Sequence, residues 1–172
     1  MPVRGSAEGS NVSVVMIETT VCFLVNGSPP TEILLGMKKR GFGAGKYNGL
    51  GGKVDPGETP LGAVVREVRE ESGLVVSPDG LRPMGAIDFH FPFHREYDHH
   101  VHVFVAGAWE GELRETDEMA SSWFPIDRIP LDRMWADDAH WLPLVLAGKR
   151  LEAEFTFAED NETISTFSIR EF

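Results

Sequence analysis

This 172-residue chain has one cysteine and no long hydrophobic run. A lone cysteine, Cys22, excludes a disulfide within the chain, and its place in the apolar run 21–25 predicts a small buried thiol. No run approaches the roughly 20 apolar residues of a membrane-spanning helix, and residues 1–12 lack the hydrophobic segment of a signal peptide. These absences favour a cytoplasmic protein without a membrane partner.

Basic residues are also scarce. Lys and Arg number 16 against 27 Asp and Glu, which gives a formal net charge of −11 at pH 7. Because a nucleic-acid polymer needs a basic surface, this balance argues against such a partner and leaves a small anionic ligand that cations neutralise locally. With 42% hydrophobic residues the chain can bury its own core. We expect a flexible leader over residues 1–12 and one monomeric domain over residues 13–172.

Two common phosphate-binding motifs are missing as well. The loop 38–46 is basic and glycine-rich, but Arg40 and Tyr47 stand where a Walker loop needs its first Gly and its final Ser or Thr. The dinucleotide-binding pattern fails too, because Lys46 occupies the position of its third Gly. A nucleotide site in this chain must therefore be built in another way.

Hydrophobic periodicity predicts seven strands and two helices. The strands are expected at residues 14–25, 32–37, 84–93, 100–108, 122–126, 151–157 and 163–169. One helix is expected between Thr59 and Gly73 and another over 137–147, where Pro143 could shift the helix start. This order of elements predicts an α+β fold, an α/β/α sandwich with a mixed β-sheet.

The first helix has clear ends and one apolar face. Thr59 suits the N-cap, Pro60 the first helical position and Gly73 the C-terminal stop. The stripe expected to pack on the sheet consists of Leu61, Val64, Val65 and Val68.

Three glutamates, Glu67, Glu70 and Glu71, lie on the same helix, and we expect them to point away from that stripe. Carboxylates three and four residues apart share one helix face and repel one another unless a multivalent cation lies between them. The cluster therefore indicates a magnesium-type site and phosphate chemistry. A solvated, charged helix face is the alternative.

The surroundings of these glutamates decide between the two interpretations. Residues 52–74 match, position by position, the pattern Gly-x5-Glu-x7-Arg-Glu-U-x-Glu-Glu-x-Gly-U, where U is aliphatic. This pattern is the Nudix box, and the chain resembles the Nudix hydrolases, which cleave nucleoside diphosphates linked to another group. Further similarity, over roughly residues 19–172, is to the members that hydrolyse oxidised purine nucleoside triphosphates.

The resemblance implies a Mg²⁺-dependent pyrophosphohydrolase, with Mn²⁺ as a substitute metal. It would convert (oxidised) purine nucleoside triphosphates such as 8-oxo-dGTP or 2-oxo-dATP to the monophosphate and pyrophosphate, and so clear them from the nucleotide pool. Water would attack within the α–β linkage while a carboxylate takes its proton. The rivals are a Nudix hydrolase of another nucleoside diphosphate-linked substrate and a non-catalytic nucleotide-binding module.

The resemblance also assigns candidate residues. The metal would be held by Gly51, through its backbone carbonyl, and by Glu67, Glu70, Glu71 and Glu118. The candidate catalytic set consists of Glu67, Glu70 and Glu71 with Arg66 and Glu58. Arg66 and Glu58 would orient the loop against the helix. Which glutamate acts as the base stays open. The candidate substrate-binding residues are Thr19, Lys38, Phe42, Asn48, Leu50, Gly51, Gly52, Lys53, Phe89, Trp135, Ala136, Asp137 and Asp138.

Two adjacent aspartates in this set, Asp137 and Asp138, allow two interpretations. Acidic residues at the start of a helix often serve as an N-terminal cap. Beside Trp135 they could instead form the selective edge of a base pocket together with Asn48. Burial and like charge would then keep one carboxyl protonated, and moving that proton would let the pair recognise both oxidised guanine and oxidised adenine.

Three histidines, His99, His100 and His102, have no cysteine partner, so a polar strand face or a ligand contact is favoured over a zinc site. By resemblance, His99 stands at the rim of the base pocket. There it would add a group that can charge near neutral pH and change base selectivity.

Overall fold

The computed structural model describes residues 16–172, so the leader predicted for residues 1–12 lies outside the described part of the chain. The elements follow in the order β1 (Ile17–Asn26), β2 (Glu32–Lys38), β3 (Tyr47–Asn48), α1 (Pro60–Ser72), β4 (Leu81–His90), β5 (His99–Ala106), β6 (Met119–Pro125), α2 (Asp138–Leu146), β7 (Leu151–Phe157) and β8 (Ile164–Glu171). Both predicted helices and all seven predicted strands are present, with ends shifted by a few residues. Strand β3 was not predicted because two residues carry no periodicity.

The strands form a mixed sheet in the order β3-β2-β1-β5-β4-β7-β8, with β6 paired to β2. The pairs β1/β5 and β4/β7 are parallel and the other neighbours are antiparallel. The glycine-rich turn before α1 is attached to the middle of this sheet. Thr20 N donates to Gly52 O at 2.8 Å, and Cys22 N donates to Leu50 O at 2.6 Å. This attachment sets the position of the turn relative to β1.

Alternate residues of β1 enter two different cores, because successive side chains of a strand point to opposite faces. Cys22 and Leu24 belong to the core that includes α1, whereas Phe23 contacts Trp141 of α2 with ring centroids 5.7 Å apart. The helices therefore cover opposite faces, as the predicted α/β/α sandwich requires. Cys22 is fully buried, as predicted, and burial raises the pKa of its thiol to about 12. None of the helices within residues 16–172 is long and apolar enough to cross a membrane.

Helix α1 begins and ends as predicted. The Thr59 hydroxyl accepts a hydrogen bond from Gly62 N at 3.1 Å, Pro60 occupies the first turn, and Gly73 adopts φ 79° while its N–H donates to Arg69 O. A left-handed φ of this kind favours glycine, which explains the position of the stop.

The orientation predicted for one glutamate is wrong. Glu71 is only 6% exposed and faces the sheet, whereas the Glu70 side chain is 58% exposed. Glu71 follows Val64 by seven residues and Val68 by three, so it shares the side of the helix that carries the apolar stripe. Two full turns return the chain to the same face, and the three carboxylates consequently experience different surroundings.

Helix α2 starts at Asp138 and keeps Pro143 inside it. The expected shift of the helix start is absent. Asp137 takes the N-cap position, but its side chain makes no capping hydrogen bond. The capping interpretation of this aspartate is therefore not supported.

Candidate active site

The turn formed by Gly51 and Gly52 packs directly against the carboxylates of α1. Gly51 N donates to Glu71 Oε1 at 2.7 Å. A Cβ on Gly51 would lie 2.1 Å from Thr20 O, and a Cβ on Gly52 would lie 2.6 Å from the carboxyl carbon of Glu67. Only glycine allows this approach, so the two glycines bring backbone polar groups into contact with the glutamates.

The carboxylates in contact with this turn are electrostatically crowded. Burial, together with the charges of Glu67 and Glu118, raises the pKa of Glu71 to about 8. The hydrogen bond from Gly51 acts in the opposite direction. Burial also raises the pKa of Glu67, and Glu70 and Glu118 add to that shift. A bound divalent cation would relieve the repulsion, and carboxylate and carbonyl oxygens are the donors that Mg²⁺ prefers. The residues present thus fit a hard divalent metal ion.

Arg66 links the loop to the helix through a set of short hydrogen bonds. Its Nε and Nη2 each donate to a Glu58 carboxylate oxygen at 2.8 Å, and Nη2 also donates to Lys53 O at 3.0 Å. Its Nη1 donates to Glu67 at 2.8 Å and to Glu70 at 3.3 Å. These bonds lower the pKa of Glu58 to about 2 and raise that of Arg66. Arg66 and Glu58, the predicted orienting pair, are thus in contact, and Arg66 also bonds to Glu67.

Two of the predicted metal ligands lie at the outer edge of this cluster. Glu70 is held by Arg66, and the exposed Glu118 is paired with Arg40 at 3.3 Å. In the part of the chain that the structure describes, one group of three His, Cys, Asp or Glu side chains brings its ligand atoms within 4.8 Å of one another. It consists of Asp88, His90 and Glu154 and contains none of the predicted metal ligands. The predicted metal-binding glutamates are therefore neighbours without converging on one point.

A cavity of about 230 Å³ adjoins the glycine turn. Ten of the predicted substrate-binding residues line it: Thr19, Lys38, Phe42, Asn48, Gly51, Gly52, Phe89, Trp135, Asp137 and Asp138. The remaining three do not. Leu50 is fully buried in the core beneath α1, Lys53 is exposed beside Arg66, and Ala136 is exposed in the turn before α2.

Aromatic side chains form one wall of the cavity. The Phe42 ring stacks on Tyr97 with centroids 4.0 Å apart and lies 5.0 Å from the Trp135 ring. The lining residues absent from the predicted set include Lys46, Phe91, Trp141 and Phe157. Strand alternation could have identified Phe91, because it follows Phe89 by two residues. The others come from separate parts of the chain, and no local pattern connects them.

The Lys46 side chain extends over this aromatic wall. Its Nζ lies 5.0 Å from the centroid of the Trp135 ring and 2.9 Å from Glu162. The other lysine of the glycine-rich loop, Lys38, donates to Phe42 O at 2.8 Å. Both cations therefore border the cavity.

Asp137 and Asp138 are buried side by side at the cavity, 3% and 2% exposed. Trp141 Nε1 donates to Asp137 Oδ2 at 2.7 Å, while Asp138 Oδ2 has no hydrogen-bond partner within residues 16–172. Burial raises the pKa of Asp137 to about 6, and burial together with the charge of Asp137 raises that of Asp138 well above its usual value. Burial and the neighbouring charge therefore favour the protonated form of Asp138, which can donate a hydrogen bond.

The histidines do not meet at one point. His100 Nδ1 lies 2.5 Å from Asp88 Oδ1, and His102 Nε2 lies 2.8 Å from Glu18 Oε2. His99 instead lines the cavity. His100 and His102 are thus paired with acidic side chains, whereas a ligand contact of His99 stays a prediction.

Known proteins resemble this chain in sequence and in structure. A NUDIX domain profile matches residues 16–145. The chain is 51% identical, over 142 residues, to the oxidized purine nucleoside triphosphate hydrolase of Danio rerio, covering 83% of this chain and 89% of that protein. It is 46% identical to the Mus musculus protein of the same name, also over 142 residues, covering 83% of this chain and 88% of that protein.

Among solved structures, the mutator MutT protein from Bacillus halodurans matches with a TM-score of 0.75 and 26% identity over 90% of this chain and 97% of that chain. A MutT Nudix hydrolase from Burkholderia pseudomallei matches with a TM-score of 0.60 and 30% identity over 67% of this chain and 88% of that chain. Sequence and structure agree with the box at residues 52–74, and the chain therefore belongs to the Nudix hydrolase family.

Proposed function

We propose that the protein is a Mg²⁺-dependent pyrophosphohydrolase of oxidised purine nucleoside triphosphates, such as 8-oxo-dGTP and 2-oxo-dATP, that releases the monophosphate and pyrophosphate. The main support is one cavity that joins the paired aspartates and the aromatic wall to the Gly51–Gly52 turn. A planar base fits beside the aromatic rings while its phosphates reach the turn and the glutamates. The activity for which the two relatives are named, hydrolysis of oxidized purine nucleoside triphosphates, supports the same substrate class.

The proposed metal site consists of the Gly51 carbonyl, Glu67, Glu70, Glu71 and Glu118. Mg²⁺, or Mn²⁺ in its place, would neutralise phosphate oxygens and acidify a water molecule when bound. Arg66, held by Glu58, keeps the Glu67 carboxylate in position.

Glu71 is the glutamate best placed to move a proton. Its Oε1 accepts from Gly51 N, and no other hydrogen bond to Glu71 is present within residues 16–172, so Oε2 is free to accept a proton from water. A bound cation would lower the raised pKa and leave Glu71 ionised, so that it can act as a base near neutral pH. Lys38 and Lys46 would lie beside the phosphates.

Base recognition is proposed to depend on the proton shared by the aspartates. Protonated Asp138 can donate to a carbonyl oxygen of the base while ionised Asp137 accepts from an N–H group. The Asn48 side chain, whose Oδ1 accepts from Gly49 N at 2.8 Å, can offer its amide N–H groups to the base. Movement of one proton between Asp138 and Asp137 would let these two side chains and Asn48 bind both oxidised guanine and oxidised adenine.

The remaining predictions concern the whole protein. We propose that residues 13–172 form one domain, that the protein is a cytoplasmic monomer, and that its partner is a nucleotide rather than a nucleic-acid polymer. The excess of acidic residues supports the last point.

The test is a panel of kcat/KM values for 8-oxo-dGTP, 2-oxo-dATP, dGTP and dATP with Mg²⁺, at pH 6.5 and pH 8. We expect pyrophosphate release that is fastest with the oxidised nucleotides. Faster hydrolysis of dGTP or dATP than of either oxidised nucleotide would support a Nudix hydrolase of another substrate. Tight nucleotide binding without pyrophosphate release would support the non-catalytic module.

A further inference from the structure

His99, the first residue of β5, lines the cavity but has no part in the proposed chemistry. Its Nδ1 lies 2.7 Å from the backbone carbonyl of Tyr97. Because a carbonyl oxygen can only accept, Nδ1 must carry a proton, and in the neutral ring Nε2 then carries a lone pair. Burial lowers the pKa of His99, which favours this neutral form over the charged group expected from the sequence.

The plane of the His99 ring is held in place by its neighbours. The ring stacks on Phe89 with centroids 4.9 Å apart and 20° between planes, and on Phe91 at 6.1 Å and 12°. Phe89 and His99 are also direct partners in the β4/β5 ladder. Rotation of the ring would break the bond to Tyr97, so the position of Nε2 is set before a ligand arrives.

Nε2 is available to a ligand. It has no hydrogen-bond partner within residues 16–172. Two side-chain polar atoms in that part of the chain are both fully buried and without a partner, Ser121 Oγ and Asp138 Oδ2, and His99 Nε2 is not one of them. It therefore keeps accessible surface in a ring that lines the cavity. The nearest acid, Asp98, accepts bonds from Phe91 N and Arg95 and so does not occupy this nitrogen.

A neutral imidazole acceptor complements an N–H donor on the base. Oxidised guanine carries its exocyclic amino group at C2 and oxidised adenine carries it at C6, so an acceptor fixed in one place distinguishes the two positions. Resting on the proposed function, we propose that His99 Nε2 accepts a hydrogen bond from the 2-amino group of bound 8-oxoguanine and thereby selects nucleotides that carry an amino group at that position.

The test compares 8-oxo-dGTP with 8-oxo-dITP, which lacks only the amino group, on the wild type, His99→Phe and His99→Gln. Phenylalanine keeps a planar ring against Phe89 and removes the acceptor, while glutamine restores an acceptor oxygen. We expect His99→Phe to lower kcat/KM for 8-oxo-dGTP about tenfold, the size of one neutral hydrogen bond, and to leave 8-oxo-dITP within about twofold. His99→Gln should recover part of the loss. The exposed His94→Phe is the matched control and should change neither value.

Equal losses on both nucleotides would overturn the inference and leave the proposed function intact. ¹⁵N NMR provides an independent measurement, since a proton on Nε2 in place of Nδ1 would also overturn it. If the wild type hydrolyses neither nucleotide, the proposed function fails, and calorimetric binding of 8-oxo-dGMP and 8-oxo-dIMP decides the role of His99. Tighter binding of 8-oxo-dGMP that His99→Phe abolishes supports the inference, and equal or absent binding contradicts it.

Discussion

Two carboxyl groups of the candidate site are buried, Glu71 against Gly51 and Asp138 at the cavity, and burial raises the pKa of both. Their surroundings nevertheless assign them opposite tasks. Glu71 accepts from Gly51 N and belongs to a carboxylate cluster that a cation would ionise. Asp138 is buried beside Asp137, with no cation among its described contacts, and both conditions favour its protonated form. Two carboxyl groups would thus serve as a proton acceptor beside the phosphates and as a hydrogen-bond donor to the purine.

Replacement of Glu71 by Gln tests the first task. Glutamine keeps the volume and can still accept from Gly51 N, but it cannot bind a cation strongly or take a proton. We expect turnover of 8-oxo-dGTP in Mg²⁺ to fall by roughly 100-fold or more, with an unchanged circular dichroism spectrum. The exposed Glu154→Gln is the control and should retain wild-type turnover. Near-normal activity of Glu71→Gln would remove Glu71 from the mechanism.

Replacement of Asp138 by Asn tests the second task. Asparagine imitates the protonated acid but cannot exchange its proton with Asp137, so only one arrangement of donors and acceptors remains. We expect the ratio of kcat/KM for 8-oxo-dGTP to that for 2-oxo-dATP to change by about tenfold. A ratio equal to that of the wild type would show that the shared proton has no part in base recognition.

The same substitution should change the pH dependence of stability. A carboxyl whose pKa is raised on folding stabilises the folded state fully below its unfolded pKa, and this contribution is lost as pH rises through the folded pKa. The asparagine side chain does not titrate, so Tm of Asp138→Asn minus Tm of the wild type should increase between pH 4.5 and pH 8. Differential scanning calorimetry measures this difference, with the exposed Asp127→Asn as the control. A difference in Tm that does not change with pH would contradict a raised pKa of Asp138 in the folded state.

At the scale of elements, the turn 49–58 and helix α1 behave as one unit. Arg66 bonds to the loop at Glu58 and Lys53 O and to the helix at Glu67. Thr59 separately caps the helix. The cap stabilises the helix as such, whereas Arg66 sets the distance between the helix carboxylates and the turn.

Substitution of Arg66 by Lys separates these effects. Lysine keeps one charge but cannot reproduce the forked hydrogen bonds, so Glu67 loses its orientation. We expect a loss of about 10- to 100-fold in kcat/KM, together with a higher Mg²⁺ concentration for half-maximal rate. The control, Thr59→Ala, should destabilise the fold by about 1 kcal/mol and leave the Mg²⁺ dependence unchanged. Equal effects of both substitutions on the Mg²⁺ dependence would assign Arg66 to helix stability alone.

At the scale of the whole molecule, the net charge of −11 and the crowded glutamates both oppose folding without cations. A ligand that binds only the folded state stabilises it by mass action. Mg²⁺ at about 100 times its Kd should therefore raise Tm by on the order of 5 °C, measured by calorimetry. NaCl at matched ionic strength should give a smaller rise, and Glu71→Gln should lose most of the Mg²⁺-specific part. A rise equal in both salts would indicate screening alone.

Local chemistry was enough to predict much of this protein from its sequence. Thr59, Pro60 and Gly73 define helix α1 through the hydrogen-bonding needs of its two ends, and alternation of apolar residues located the strands. The box at residues 52–74 identified the family because its spacing follows the loop and helix that it forms. These features depend only on residues close together in the chain.

Tertiary structure decided which of those residues share an environment. The burial of Glu71 and the unpartnered Asp138 oxygen depend on segments far apart in sequence, and the position of the His99 ring depends on the pairing of β4 with β5. Burial is a property of the packed sheet and both helices together, and pKa follows from burial and from neighbouring charges. The sequence by itself therefore determined the elements and the reaction family, whereas only the packed fold decided which groups donate, accept or hold a proton at the site.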